Sequence, residues 1–248
     1  MSWCKTDTLR LLSTTLYLDI NAMKKLAIFD LDNTLLNGDS DHAWGEFLVT
    51  QGYVDGAYYE ARNDKFYQDY KNGTLDINEY LEFALAPLTE HSMDELALIH
   101  QQFMQDIIKP MLLNKAAALL DNHRQQGHFL LIITATNGFV THPIAKLLGV
   151  DDILATDPEI INGKYTGKIA GPPCFQEGKV VRLNQWLADN QHSLDGSYFY
   201  SDSINDLPLL EVVEKPVAVD ADEKLTAIAQ QRDWPLISLR DTNPIHNT

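Results

Sequence analysis

Apolar residues recur along this chain in short blocks, and the spacing of the blocks predicts its architecture. Residues 26–29, 129–133, 196–200 and 217–219 are runs of single-strand length. The block 129–133 is apolar at every position, which suits a strand buried on both faces of a parallel sheet. Between these blocks, 116–126, 143–148, 179–190 and 207–211 read as helices. Strands alternating with helices imply an α/β fold of three layers, a parallel sheet covered on both sides.

Residues 38–110 break that alternation. Trp44, Phe47 and Leu48, then Tyr59, Phe66 and Tyr70, then Tyr80, Phe83 and Leu85, then Leu96, Ile99 and Phe103 fall at helical spacing, with no strand-like run. Gly73 and Pro87 punctuate the stretch. It reads as a helical module at 38–110 inserted into a sheet core formed by 23–37 and 111–248. Farther on, Asn162-Gly163 between apolar and aromatic residues predicts a hairpin. Residues 1–22 carry Asp7 and Arg10 where a signal peptide would be apolar. Met23-Lys24-Lys25 leads straight into the first strand, so 1–22 reads as an extension the fold can do without.

Composition narrows the function classes. A chain of 248 residues, 45% of them hydrophobic, can bury one large core or a core plus a smaller module. A net charge of −16 argues against nucleic acid and anionic membrane surfaces as partners. No apolar run approaches the length of a membrane span. The two cysteines, Cys4 and Cys174, form no disulfide framework and have no metal-ligand spacing, so a reducing, cytoplasmic setting is expected.

Candidate chemistry sits just after the strands, where open α/β sheets bind ligands. Asp30 and Asp32 follow the first block, and side chains two apart on an extended chain share a face. Two carboxylates that close call for a cation, and Mg²⁺ is the oxygen-seeking cation that brings phosphates with it. Thr134, Thr136 and Asn137 follow the second block, and Ser201, Asp202, Asn205 and Asp206 follow the third. Gly178-Lys179 opens a helix between them. Each piece alone has a plain structural reading: a turn at Asp30-x-Asp32, a solvated Lys179, a helix cap at Asp202 and Asp206. The calcium-loop pattern fails at Thr34 and Leu35.

In chain order, Phe29-Asp30-Leu31-Asp32-Asn33-Thr34-Leu35, Ile132-Ile133-Thr134, Lys179 and Ser201-Asp202-Ser203-Ile204-Asn205-Asp206 resemble the four motifs of the haloacid dehalogenase superfamily of phosphatases. The helical insert resembles the C1 cap of the phosphoserine-phosphatase-like branch, subfamily IB. One departure is Ser201, where that branch has glycine, at a position expected to contribute only backbone. The resemblance implies a Rossmann-like core and a Mg²⁺-dependent phosphomonoester hydrolase working through an aspartyl-phosphate. Asp30 would be the nucleophile and Asp32 the proton shuttle, with Thr134, Ala135 and Lys179 around the phosphoryl group. Mg²⁺ would be held by Asp30, Asp202 and the backbone carbonyl of Asp32, with Asp206 and Asn205 orienting its surroundings. Two alternatives remain at this point: a phosphotransferase or mutase of the same fold, and a non-catalytic phosphate-binding protein. A response-regulator receiver would be about half this length and lack the insert.

Substrate choice would fall to the insert. In phosphoserine phosphatases an acidic residue nine positions after the nucleophile reads the substrate amine, and Asp39 stands there. Those enzymes also clamp the substrate carboxylate with a cap arginine. The segment that corresponds, residues 73–85, has none, leaving Arg62 or Lys65 as substitutes. Asp39, Asp41 and Glu46 with the aromatics Trp44, Tyr58 and Tyr59 suit a small amine-bearing ester. Histidinol phosphate, phosphocholine and phosphoethanolamine fit that description better than phosphoserine. The expected partner is thus a small phosphorylated metabolite, for a protein acting as monomer or dimer.

Overall fold

The computed structural model describes residues 24–240, so the extension expected at 1–22, with Cys4, lies outside the described residues. Within them the strands are β1 (Leu26–Phe29), β2 (Phe129–Asn137), β3 (Asp152–Thr156), β4 (Pro158–Ile161), β5 (Lys164–Ile169), β6 (Tyr198–Ser201), β7 (Lys215–Val219) and β8 (Leu236–Ile237). Six of these form one sheet in the order β3-β2-β1-β6-β7-β8, with every pairing parallel. The helices are α1 (Ser40–Thr50), α2 (Gly56–Asn72), α3 (Ile77–Leu85), α4 (Met93–Phe103), α5 (Asn114–Gln125), α6 (Gly138–Leu148), α7 (Glu177–Asn190), α8 (Leu207–Leu210) and α9 (Glu223–Gln231).

All of β1 is buried, and its alternating side chains serve two separate layers. Ala27 and Phe29 pack with Ala116 and Leu120 of α5 and Val140 and Ile144 of α6. Leu26 and Ile28 pack with Leu183 and Trp186 of α7, Leu209 and Leu210 of α8, and Leu225 of α9. Each such buried side chain contributes about 1.5–3 kcal/mol. The three layers are therefore written in the apolar blocks themselves. Among the described residues, no helix is long and apolar enough to cross a membrane.

Several boundaries differ from the expected ones. Strand β2 runs on to Asn137, so Thr134 and Thr136 lie within its C-terminal part rather than beyond it. Helix α6 starts at Gly138, five residues before the expected start, because the Asn137 side chain accepts the Val140 N–H and caps it. The edge strands β3 and β8 offer only the short apolar runs Ile153–Ala155 and Leu236–Ile237, and an edge strand buries less of itself. The hairpin does form. Asn162 and Gly163 take positive φ (52° and 73°) between β4 and β5, as a tight primed turn requires.

Helices α1 to α4 all lie between β1 and β2, as the aromatic spacing predicts. Trp44, Phe47 and Phe103 extend the α5/α6 layer of the sheet into this insert. Helix α1 meets α2 closely at Gly45, where a Cβ would lie 2.5 Å from the Asn63 amide. The two connections to the sheet are tied together, with Leu36 bridging Leu112 and the Asn37 N–H donating to Met111 O at 2.8 Å. The hairpin braces the far side, with Tyr165 and Ile169 against Leu85 and Leu88.

Candidate active site

Asp30 directly follows β1, and its N–H still bonds to Tyr200 O at 2.9 Å, which fixes its backbone between the central strands. The chain then turns through Asn33 in the left-handed region (φ 56°). Buried Asp30 accepts from Lys179 Nζ at 2.8 Å through Oδ1. Lys179 also reaches Asp206, at 2.6 and 2.8 Å to its two carboxylate oxygens. It is only 1% exposed, so the solvated reading of this lysine is wrong. Its approach depends on Gly178, where a Cβ would lie 2.1 Å from Pro173 O.

Thr34 joins the remaining carboxylates. Its Oγ1 lies 3.4 Å from Asp30 Oδ2 and 3.2 Å from Asp202 Oδ1, and it accepts the Asp202 N–H at 3.1 Å. Sequence reasoning passed over this residue although it stands inside the first motif. Ser201 is a correction as well. Its hydroxyl donates to Asp206 at 2.8 Å and accepts the Ser203 N–H, so the side chain is used. Asp206, committed to Lys179 and Ser201, therefore sits behind the lysine.

Asp32 faces a different set of partners from Asp30. It accepts from Ser40 N–H at 2.6 Å and from Thr136 Oγ1 at 2.8 Å. Thr134 Oγ1 accepts the Thr136 N–H at 3.2 Å and lines the same pocket, as does Ala135. Burial pushes Asp30 up to about 7, with Lys179 opposing and Asp206 reinforcing the shift. Burial, then Asp39, raises Asp32 to about 7. Burial and the neighbouring Asp30 raise Asp202 well above the ordinary range. Burial works against the Lys179 ammonium, but Asp206 and Asp30 prevail and raise its pKa.

These donors fit Mg²⁺. Lys179 is divided between Asp30 and Asp206, so Asp202 faces Asp30 with no cation of its own. Hard oxygens from one or two carboxylates, completed by water and phosphate, are the usual magnesium set. Among the described residues no three His, Cys, Asp or Glu side chains already close into a metal cage. The fit is to an open site sharing its ion with substrate.

The roof of the pocket differs from the expected one. Trp44 lies in the core against Phe103 and Phe139, Tyr59 packs on Phe83, and Tyr58 stands exposed away from the site. The aromatic lining instead comes from Phe66, Tyr67 and Tyr70 of α2 and Tyr80 of α3. Asp39 and Asp41 line it too, whereas Glu46 does not. Arg62 pairs with Glu79 at 2.9 Å and lies over the Phe66 ring, outside the pocket, and Lys65 pairs with Asp69. Neither substitutes for a carboxylate clamp. His42 lines the pocket with Nε2 on Asp64 at 2.9 Å, while His142 lies outside, 3.4 Å from Asp157.

Residues 27–211 match the sequence profile of the haloacid dehalogenase-like hydrolases. The chain belongs to this family. This hydrolase is 47% identical over 222 residues to the histidinol-phosphatase of Neisseria meningitidis serogroup C (strain 8013), covering 88% of this chain and 100% of that one. It is 30% identical to a probable phosphatase of Mycobacterium tuberculosis, over 88% of this chain and 78% of that one. Among solved structures, a protein of unknown function from Bordetella pertussis Tohama I matches with TM-score 0.83 and 47% identity, over 88% of this chain and 100% of that one. A substrate-bound phosphoserine phosphatase matches with TM-score 0.64 and 17% identity, over 88% and 93%, a likeness of fold. The hydrolase is a phosphatase with the phosphoserine-phosphatase-like fold.

Proposed function

We propose that this phosphatase is a Mg²⁺-dependent phosphomonoester hydrolase that works through an aspartyl-phosphate on Asp30. Its substrate is a small amine-bearing ester, with histidinol phosphate the leading candidate. The observation that carries the substrate reading is the charge of the pocket. Asp30, Asp32, Asp39 and Asp41 line it, and no lysine or arginine of the helical insert does. A substrate carboxylate finds no partner there, whereas an ammonium does. The histidinol-phosphatase similarity over the whole of that relative points the same way.

The chain's own groups divide the reaction between them. Asp30 attacks phosphorus through a carboxylate oxygen, and the bond from phosphorus to the ester oxygen breaks. Asp32, whose raised pKa keeps a proton available near neutrality, gives that proton to the departing oxygen. It then takes one from the water that attacks the phosphoryl group and frees Asp30. Thr134 donates to a phosphoryl oxygen, and Lys179 holds Asp30 in place while offsetting its charge. Asp30, Asp202 and the Asp32 carbonyl would hold Mg²⁺, which would supply positive charge to the phosphoryl oxygens.

The test is hydrolysis of p-nitrophenyl phosphate. Turnover should require added Mg²⁺, vanish with a chelator, and fall by roughly 10⁴-fold or more in Asp30→Asn. Full turnover by that variant would remove Asp30 from the nucleophile role.

A further inference from the structure

Asp39 and Asp41 both line the pocket, yet they are held differently. Asp39 is the N-cap of α1, and its Oδ1 accepts from the N–H groups of both Asp41 and His42 at 2.9 Å. That carboxylate already has a structural task, and its charge is partly satisfied by the helix start. Asp41, in the first turn of the same helix, points instead toward the catalytic floor. It accepts from Asn137 Nδ2 at 3.3 Å, a side chain at the end of β2. The Tyr80 phenol of α3 and the Thr136 hydroxyl stand beside it.

Thr136 makes the position informative. Its Oγ1 donates to Asp32 at 2.8 Å, so Asp41 lies one hydroxyl away from the group that would protonate the leaving oxygen. An ammonium on the second carbon of an alkyl phosphate lies within about the same reach of its ester oxygen. The basic side chains nearby are already engaged, His42 with Asp64 and Lys179 with Asp30 and Asp206. A half-buried carboxylate in that situation is better satisfied once a cation arrives. The ring of Tyr80 stands beside it, and Phe66 and Tyr67 complete an apolar wall for a flat substituent.

We infer that Asp41, aimed by Asn137, is the residue that recognises the ammonium of a 2-aminoalkyl phosphate, while Asp39 serves to cap α1. This rests on the amine-bearing substrate reading above and assigns it to one side chain. Asp41 is thus a specificity residue, and Asn137 is a positioning residue for it.

The test compares histidinol phosphate with its deamino analogue, 3-(imidazol-4-yl)propyl phosphate, on the Mg²⁺-loaded enzyme. Wild type should favour the amine in kcat/KM by about 100-fold or more, because a site built for a charged partner penalises its absence. In Asp41→Asn that preference should collapse to within about fivefold. Asp39→Asn, whose amide oxygen can accept the same two N–H groups, should keep both thermal stability and the preference. Retention of the preference by Asp41→Asn, or its loss in Asp39→Asn alone, would overturn the assignment. Equal wild-type turnover of both esters would also overturn it while leaving the phosphatase chemistry intact. Turnover of p-nitrophenyl phosphate with neither ester hydrolysed would instead overturn the substrate reading.

Discussion

At the sheet edge, Lys179 is enclosed between Asp30 and Asp206, and every carboxylate there has a named donor. In the helices above, Arg62 and Lys65 pair with Glu79 and Asp69 outside the pocket, and Asp39 and Asp41 face inward with no lysine or arginine beside them. One region keeps its cation buried and permanent, a fixed positive charge of the kind that phosphoryl transfer uses. The other leaves negative charge for an incoming cation to meet. On the proposed function, the difference teaches that reaction type and substrate choice are set by separate electrostatic designs, one closed within the chain and one completed by the ligand.

The largest effect on that contrast should come from Lys179→Met. Two buried carboxylates then lose their shared cation, which should cost about 3–5 kcal/mol in urea unfolding, alongside loss of turnover. Unchanged stability would mean that the trio is not sealed from water. A smaller effect is expected from His123, on the α5 side of the sheet. Its ring nitrogens bond to His128 and Tyr200, and burial, then His128 and Lys215, push its pKa down to about 4. The unfolded chain, with an ordinary value of about 6.5, binds more protons than the native state between those limits. This contribution to stability is therefore complete above about 6.5 and is lost as pH falls toward about 4. His123→Phe should be less stable than wild type by about 1 kcal/mol at pH 7, and that gap should narrow at lower pH. A gap independent of pH would show that His123 is not held neutral.

Least affected should be Arg62→Ala. Removing a surface pair and its ring contact should cost about 0.5–1 kcal/mol, with kcat/KM changed by no more than about threefold. A large loss of turnover there would place Arg62 in substrate binding and break the contrast.

The two regions also differ in how readable they are from sequence. β1, β2 and β6 announce themselves because a strand buried on both faces must be apolar throughout, and the groups just past them follow from the parallel topology. Asp30, Asp32, Thr134, Lys179 and Asp202 meet because that topology brings them to one edge. Thr34 was within reach, since it stands four residues after Asp30, but a hydroxyl that bridges two distant carboxylates leaves no pattern. The roof was less legible. The aromatic spacing gives the helices of the insert, yet which ring faces the pocket depends on how α1 crosses α2 at Gly45 and where α3 lies, and both are tertiary. Trp44 and Tyr59 therefore fell into the core, and Tyr67, Tyr70 and Tyr80 took the wall.

The separation between a fixed floor and a ligand-completed roof is tested most directly by kcat/KM for histidinol phosphate against phosphoserine, measured on one Mg²⁺-loaded preparation. With carboxylates in the roof and no arginine to meet a substrate carboxylate, histidinol phosphate should be preferred by about 100-fold or more. Phosphoserine hydrolysed as well or better would contradict the account.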